Sequence, residues 1–181
     1  KSDYRIRFDF NAIAKGYAID RLAAMLDAKG IANYLVEVGG EIVAKGKNVI
    51  KEKPWVVGID NPEGKDRSKP IVMLSLENEA LASSGNYRKF RIDSISGKKY
   101  VHTINPKTGY TKNSNVLGSS VIASNCAKAD AYATAFMALD LDDSIKLLVH
   151  EKDMEAFIVY LDEDGKIEEF ITDGFKKRIV E

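Results

Sequence analysis

Asp130 and Thr134 are two polar side chains inside an otherwise apolar stretch of the sequence. This stretch, residues 125–139 (NCAKADAYATAFMAL), predicts a helix because it is rich in alanine, lacks proline and glycine, and begins with an asparagine suited to an N-cap. The four-residue spacing places both side chains on one helical face, one turn apart. A carboxylate and a hydroxyl are oxygen ligands of the kind that Mg²⁺ takes, with substrate phosphates and water completing its shell. A structural role fits the same pair, with the Asp bonded to backbone amides and the Thr to its own helix.

A second candidate site lies at the start of a helix predicted within residues 9–30. Lys15 and Gly16 fall in its first turn or so, and Asp9 or Asn11 is a potential N-cap. Free backbone amides, the positive end of the helix, a lysine and a glycine that lets a ligand approach together make an anion site. The segment is not a Walker motif, so a solvated lysine at a helix start is the alternative interpretation.

Polar groups also gather around two predicted turns. Glu37 lies in a predicted strand, residues 34–38, that runs into Gly39 and Gly40. It is either a half-exposed strand residue or a hydrogen-bond acceptor for a ligand. Residues 83–86 (SSGN) form a cluster of small donors, which suits ordinary turn chemistry or a loop that holds a ligand.

His102 is the histidine best placed for chemistry. It falls at the end of an alternating segment, residues 100–104 (YVHTI), and a rigid turn at residues 105–109 (NPKTG) follows at once. Active-site residues are often found where a strand meets a turn. A structural histidine is the alternative, and His150, near the end of a predicted helix over residues 142–149, is assigned to structure.

Composition and charge narrow the classes of function. The chain has 181 residues, which suits one domain with a sizeable core. Its 27 Lys and Arg residues balance its 27 Asp and Glu residues, which argues against a large nucleic-acid-binding surface. No apolar run is long enough to span a membrane. Cys126 is the only cysteine, so an intrachain disulfide is excluded, and we interpret it as a small packed hydrophobe.

The order of predicted elements indicates an α+β fold, mainly antiparallel sheet with two long helices and one short helix. The chain begins at Lys1 and enters a predicted strand at residues 4–10, so we expect a processed or truncated part of a longer chain. A hairpin is expected around residues 162–165 (DEDG). The further predicted strands are residues 41–44, 55–59, 71–76, 116–124, 155–161 and 166–171.

Six segments in this order resemble the ApbE family, the FAD:protein FMN transferases. They are DFNAIAKGYAID, VEVGGEI, WVVGID, ALASSGNYRKF, HTINPKTGY and NCAKADAYATAFMAL. The resemblance covers nearly the whole chain. It implies an ApbE-like, T-fold-like core, with residues 1–181 as a single flavin transferase domain that forms the C-terminal major part of a longer chain.

The resemblance also implies an activity and a setting. Family members use Mg²⁺ to transfer FMN from FAD to a Thr or Ser hydroxyl of an acceptor protein, releasing AMP. Typical acceptors are subunits of membrane redox pumps, and many members are lipoproteins of the bacterial cell envelope. A Mg²⁺-dependent FAD pyrophosphatase that yields FMN and AMP, or a non-catalytic FAD-binding module, remains an alternative function.

Carried over by position, the family implies a role for individual residues of this chain. Mg²⁺ would be held by Asp130, Thr134 and the backbone carbonyl of Ala12. His102 matches the family's histidine position next to the pyrophosphate. For a catalytic base, our candidates are His102 and, if it is not fully committed to the metal, Asp130. The implied FAD contacts are Asp9, Lys15, Glu37, Gly39, Gly40, His102, Thr103 and Ile104.

Overall fold

The computed structural model describes residues 3–5, 8–60, 70–85, 90–92, 99–101, 103–105, 107–111 and 114–180, and within these it has the predicted α+β fold. The helices are α1 (Ala14–Ala28), α2 (Cys126–Ala138), α3 (Leu141–His150) and α4 (Asp173–Lys176). The strands are β1 (Tyr34–Val38), β2 (Glu41–Lys45), β3 (Trp55–Asp60), β4 (Pro70–Leu76), β5 (Glu79–Gly85), β6 (Phe90–Ile92), β7 (Lys99–Val101), β8 (Val116–Ala123), β9 (Met154–Leu161), β10 (Ile167–Ile171) and β11 (Ile179–Val180).

A six-stranded sheet in the order β1-β2-β5-β8-β9-β10 is the centre of the fold. A three-stranded sheet, β11-β4-β3, and the β6-β7 pair complete the sheets of the described residues. Neighbouring strands are antiparallel throughout, as the sequence predicted. Within the described ranges, none of the helices combines the length and the apolar character needed to cross a bilayer.

The two faces of the six-stranded sheet bury different partners. Because side chains alternate along a strand, Leu81 and Ala82 enter different clusters. One cluster joins the sheet to β3, β4 and α4 around Leu74, Leu76 and Phe175. The other packs α2 and α3 against the opposite face. Burying each large apolar side chain of this kind contributes about 1.5–3 kcal/mol, so both layers stabilise the central sheet.

The predicted strand at residues 4–10 is wrong for the part of it that the structure describes. Residues 4 and 5 form a turn, residues 8–10 have no regular structure, and Ile6 and Arg7 lie outside the described residues. Phe8 and Phe10 are 69% and 61% exposed, and the segment that carries them is not paired with a strand of the described sheets. Alternation makes a strand only where another strand is available to pair with it.

The two long helices begin differently from each other. Asn125 caps α2 as predicted, because its side chain accepts a hydrogen bond from Lys128 N at 2.8 Å. The predicted capping of α1 by Asp9 or Asn11 is wrong. The N-cap of α1 is Ile13, which makes no side-chain cap bond, and Asp9 instead accepts a hydrogen bond from Asn11 N. The first turn of α1 therefore has amides that need acceptors from elsewhere.

Gly16 allows α1 to approach the start of α2 closely. An ideal Cβ placed on Gly16 would lie 2.3 Å from Cys126 O and 2.8 Å from Ala127 Cα. Both are backbone atoms, so neither yields as the end of a flexible side chain would. The α1–α2 contact therefore requires glycine at this position.

We expect Gly16→Ala to lower the free energy of unfolding by about 2 kcal/mol, because the added methyl group forces two packed backbones apart. Urea unfolding followed by circular dichroism measures this change. Ala24→Ser, on the exposed side of α1, is the matched control and should change stability by less than about 0.5 kcal/mol. Equal effects of the two substitutions would contradict the close contact.

Candidate functional site

The candidate site is built where α1 and α2 cap each other. Asp130 of α2 accepts a hydrogen bond from Gly16 N, in the first turn of α1, through Oδ2 at 2.9 Å. In return, Asp20 of α1 accepts from Cys126 N and Ala127 N, the first two amides of α2, at 2.8 Å each. The first amides of a helix lack partners within it, and a carboxylate there also meets the positive end of the helix dipole. Each helix thus supplies the acidic cap of the other.

Asp130 combines deep burial with a negative charge. The residue is 2% exposed. Burial raises the pKa of the Asp130 carboxyl, while the Gly16 hydrogen bond and the positive charge of Lys15 oppose the rise. Asp130 therefore has the structural role that the sequence offered as an alternative, because it bonds a backbone amide. That amide belongs to α1 and not to the helix of Asp130. The bond from Gly16 uses Oδ2, one of the two carboxylate oxygens.

Hydroxyl groups of two strands, β5 and β8, lie near Thr134 of α2. The Thr134 Oγ1 atom is 3.3 Å from Ser84 Oγ of β5. Ser83 and Ser120 pair across β5 and β8 at 2.7 Å between their hydroxyl oxygens. Ser119 Oγ donates to the carbonyl of Ala133 at 2.6 Å and so joins β8 to α2. The predicted cluster of small donors is thus a sheet surface with paired hydroxyls, and Asn86 lies outside the described residues.

Lys15 reaches from α1 to the start of β2. Its Nζ donates a hydrogen bond to Oε1 of Glu41 and forms an ion pair with it. The Lys15 side chain is 52% exposed, whereas the Glu41 side chain is only 1% exposed. Burial raises the pKa of the Glu41 carboxyl, Lys15 lowers it, and the nearby charge of Asp130 raises it further.

The Gly39-Gly40 pair makes a two-residue hairpin turn between β1 and β2. Val38 is opposite Glu41 in the register, and the two glycines have φ angles of 67° and 104°. Positive φ at both central positions is favourable only for residues such as glycine. Oε1 of Glu37 accepts a hydrogen bond from Gly40 N at 2.8 Å and so secures the turn. Glu37 is exposed, and the hydrogen bond that it accepts comes from the protein's own backbone.

Several of these groups line a cleft of about 650 Å³. Its size lies within the range of small-molecule and cofactor pockets, roughly 300–1,000 Å³. It extends from the first turn of α1 and the β1–β2 turn across β3, β5 and β8. Six of the residues predicted as a site line it: Lys15, Glu37, Gly39, Gly40, Thr103 and Thr134. The serines Ser83, Ser84, Ser119 and Ser120 line it as well.

The remaining predicted residues lie elsewhere. Asp130 is not a lining residue, but its bond to Gly16 holds it directly behind the wall formed by Lys15. Asp9 and Ile104 are exposed, and Ile104 forms an isolated bridge with Thr111. Neither of them, nor half-buried Ala12, is part of the cleft lining. His102 lies outside the described residues, so its proposed role stays a prediction.

The donor atoms suit a hard cation such as Mg²⁺. Among the residues that the structure describes, no group of three or more His, Cys, Asp and Glu side chains is placed to hold a metal. Mg²⁺ does not need such a cage, because it keeps waters and uses one or two carboxylates together with substrate phosphates. The Gly16 N–H, which in a continuing helix would bond the Ala12 carbonyl, bonds Asp130 instead. The carbonyl of Ala12 and the oxygens of Asp130 and Thr134 are therefore a chemically suitable ligand set.

Two acidic residues of this region were missed from the sequence. Asp20 lies four residues after Gly16, so the helical period alone placed it on the same face of α1 as Gly16. Glu41 had a weaker signal, namely a carboxylate directly after a glycine pair. Its burial depends on how β2 packs, which a local pattern does not reveal.

Cys126 is buried beneath this cluster and is interpreted as a packing residue. Its exposed fraction is 0%. Burial, together with the negative charges of Asp20, Glu41 and Asp130, raises the pKa of its thiol to about 12. The reactive thiolate is therefore scarce at ordinary pH.

We expect the native protein to react very slowly with a thiol reagent such as Ellman's reagent at about pH 7 and still slowly at about pH 9. The reason is that the raised pKa leaves only a very small fraction of Cys126 as thiolate at both pH values, whereas an ordinary cysteine, with a pKa of about 8.5, is largely ionised at the higher one. The unfolded protein in guanidinium chloride is the control and should react fast. Rapid labelling of the native protein would contradict the burial of Cys126.

Comparison with solved structures identifies the class of protein that this fold and cleft define. The crystal structure of the ApbE protein from Thermotoga maritima matches with a TM-score of 0.78 and 31% identity, over 97% of this chain and 54% of that one. The flavin transferase ApbE from Vibrio cholerae matches with a TM-score of 0.74 and 30% identity, over 92% of this chain and 51% of that one. The fold is therefore that of the flavin transferases of this type.

Sequence comparison assigns the chain to a family. The model of the ApbE family matches residues 1–158, and the chain belongs to the ApbE family. A relative from Haemophilus influenzae, named FAD:protein FMN transferase, is 34% identical over 173 residues, which are 96% of this chain and 49% of that protein. A relative of the same name from Vibrio cholerae is 33% identical over 168 residues, or 93% and 48%. The chain spans about half the length of these curated relatives.

Proposed function

We propose that the protein to which this chain belongs is a Mg²⁺-dependent FAD:protein FMN transferase. It would move FMN from FAD to a Thr or Ser hydroxyl of an acceptor protein and release AMP. The observation that carries the proposal is the cleft of about 650 Å³ with Lys15 and Thr134 in its wall and Asp130 directly behind it. The names of the relatives, FAD:protein FMN transferase and flavin transferase, support the same reaction.

The chain's own contribution begins with binding the charged part of FAD. Lys15, in the first turn of α1, offers a cation to one phosphate of the pyrophosphate. The Gly39-Gly40 turn has no side chains, so a ligand can come close to its backbone. The paired serines of β5 and β8 offer hydroxyls to the polar parts of the nucleotide. Together these contacts orient FAD with its pyrophosphate near Asp130.

Mg²⁺ would be held by Asp130, Thr134 and the carbonyl of Ala12. When bound, it neutralises charge that develops on the phosphate oxygens. The hydrogen bond from Gly16 N already fixes the Asp130 carboxylate, so this ligand needs little reorganisation. In this proposal Asp9, Glu37, Thr103 and Ile104 contact FAD, as the family resemblance implies.

The transfer itself is a displacement at the phosphorus of the FMN half. The acceptor hydroxyl oxygen forms a new bond to that phosphorus, and the bond from phosphorus to the bridging oxygen breaks, so that AMP departs with this oxygen. The hydroxyl proton passes to a general base. Asp130 and His102 are the candidates, and His102 is favoured because Asp130 is engaged by Gly16 and, in this proposal, by Mg²⁺.

The acceptor and the cellular setting follow from the family alone. We propose acceptors of the kind found in membrane redox pumps and a location in the bacterial cell envelope, with the full protein held there as a lipoprotein. The direct test is the intact mass of a candidate acceptor after incubation with FAD, Mg²⁺ and the protein in its full natural length. A gain of one FMN that a chelator abolishes supports transfer. Free FMN and AMP without that gain would identify an FAD pyrophosphatase, in which water replaces the hydroxyl.

Asp130→Asn should reduce Mg²⁺-dependent FAD turnover by about 100-fold, because it removes the charged metal ligand. The fold should persist, since the Asn oxygen can still accept the Gly16 hydrogen bond. The measurement is the rate of AMP release across a Mg²⁺ titration, together with a thermal melt. Asp20→Asn is the matched control, because it alters the reciprocal cap without touching the proposed metal. It should lower thermal stability and keep the Mg²⁺ dependence; unchanged turnover in Asp130→Asn would reject the metal assignment.

Lys15→Ala should raise the KM for FAD by about tenfold, because a charge-assisted contact to phosphate contributes roughly 1.5–3 kcal/mol. Steady-state kinetics at saturating Mg²⁺ measures the change. The control is Lys45→Ala, which removes an exposed lysine paired with Asp27 and should leave KM unaltered. If both variants kept the wild-type KM, Lys15 would be a solvated lysine without a role in binding.

A further inference from the structure

Glu41 has a buried carboxylate beside the cleft, and within the described residues only one of its two oxygens has a hydrogen-bond partner. The residue is 1% exposed, and its Oε1 accepts a hydrogen bond from Lys15 Nζ. Its Oε2 has no hydrogen-bond partner among the residues that the structure describes. A buried carboxylate oxygen in this state destabilises the fold, because it has lost water and gained nothing in exchange. Stability therefore does not explain a glutamate at this position.

The surroundings of Glu41 would accept an apolar residue. Val43 lies on the same face of β2 as Glu41, and it packs against the buried side chains of Ile19 and Cys126. Replacing a buried ion pair by well-packed apolar side chains is often neutral or stabilising. Glu41 also directly follows the Gly39-Gly40 turn, and its Oε2 lies 3.7 Å from where a Cβ of Gly39 would be. The carboxylate is thus held against the turn that lines the cleft.

The ion pair with Glu41 restricts the position of the Lys15 ammonium. Its charge sits on a flexible four-carbon stem, and the side chain is half exposed at the cleft wall. An unpaired lysine there would sample many rotamers and would have to be ordered by the substrate. Pairing with a buried strand residue restricts the ammonium before any ligand binds. A charge held in place in this way needs little reorganisation when a phosphate arrives.

We propose that Glu41 is a positioning residue that holds the ammonium of Lys15 at the cleft wall, where it meets a phosphate of the nucleotide substrate. The inference rests on the proposed function, because it assigns Lys15 a phosphate to bind. The charged groups near Glu41 agree with it. Lys15 bonds the buried carboxylate of Glu41 directly, and its positive charge also acts on the buried carboxylate of Asp130. Burial raises the pKa of the Glu41 carboxyl, and the hydrogen bond and charge of Lys15 oppose the rise.

The test compares Glu41→Gln, Lys15→Ala and the double variant in the protein of full natural length. Glu41→Gln should raise the KM for FAD about tenfold with little change in kcat, because the glutamine keeps the shape and loses the charge that holds Lys15. Its melting temperature should stay equal or rise, since a buried charge is removed. The double variant should have the KM of Lys15→Ala alone, because a residue that acts through Lys15 has no effect once Lys15 is gone.

Glu79→Gln is the matched control. Glu79 forms a bidentate, half-buried ion pair with Arg178 away from the cleft lining. This variant should lower the melting temperature and leave KM as it is. A Glu41→Gln variant with a lower melting temperature and an unchanged KM would overturn the positioning role. A double variant would also overturn it if its KM exceeded that of Lys15→Ala by the full effect of Glu41→Gln.

A second readout is independent of turnover. Lys15 should be acetylated by acetic anhydride faster in Glu41→Gln than in the wild type, as measured by peptide mass spectrometry, with Lys45 as the internal reference. FAD should protect Lys15 in the wild type and protect it less in the variant. Equal labelling of Lys15 in both proteins would overturn the inference alone. A wild type that neither turns over FAD nor gains protection from it would overturn the proposed function and the inference with it.

Discussion

The reciprocal capping of α1 and α2 is the constraint on which the site depends. The first amides of each helix need acceptors, and each helix receives them from an aspartate of the other, Asp130 for Gly16 and Asp20 for Cys126 and Ala127. The two helices come close enough to form these bonds only because Gly16 has no side chain that would push their backbones apart. The same contact sets Lys15 at the cleft wall, so packing and binding geometry have one origin.

The two buried carboxylates of this region differ in what they do for the fold. Asp130 caps the start of α1, whereas Glu41 bonds the side chain of Lys15. Buried charges of this kind are costly unless they are paired. The positive charge of Lys15 opposes the rise in pKa of both carboxyl groups. A divalent cation together with a phosphate would suit such an arrangement electrostatically.

Much of the fold followed from local patterns. The helix over residues 125–139 and its Asn125 cap were correct, because capping and helix propensity act over a few residues. The hairpin at residues 162–165 was also correct, since Gly165 supplies the positive φ that its turn requires. The strand expected at residues 4–10 failed, and so did the cap expected for α1. Both depended on partners that a local pattern cannot supply: a sheet edge in one case and an aspartate on another helix in the other.

The sequence by itself determined which residue types share a face, such as Asp130 and Thr134 one helical turn apart, because that spacing follows from the helical period. It also determined the glycine-pair turn and the resemblance to the ApbE family. Only the tertiary structure decided the pairings that make a site. Asp130 meets Gly16 across 114 residues, Asp20 meets Cys126 across 106, and Glu41 meets Lys15 across 26. Such pairings depend on how helices and strands pack, and packing is a property of the whole chain, whereas periodicity belongs to a single segment.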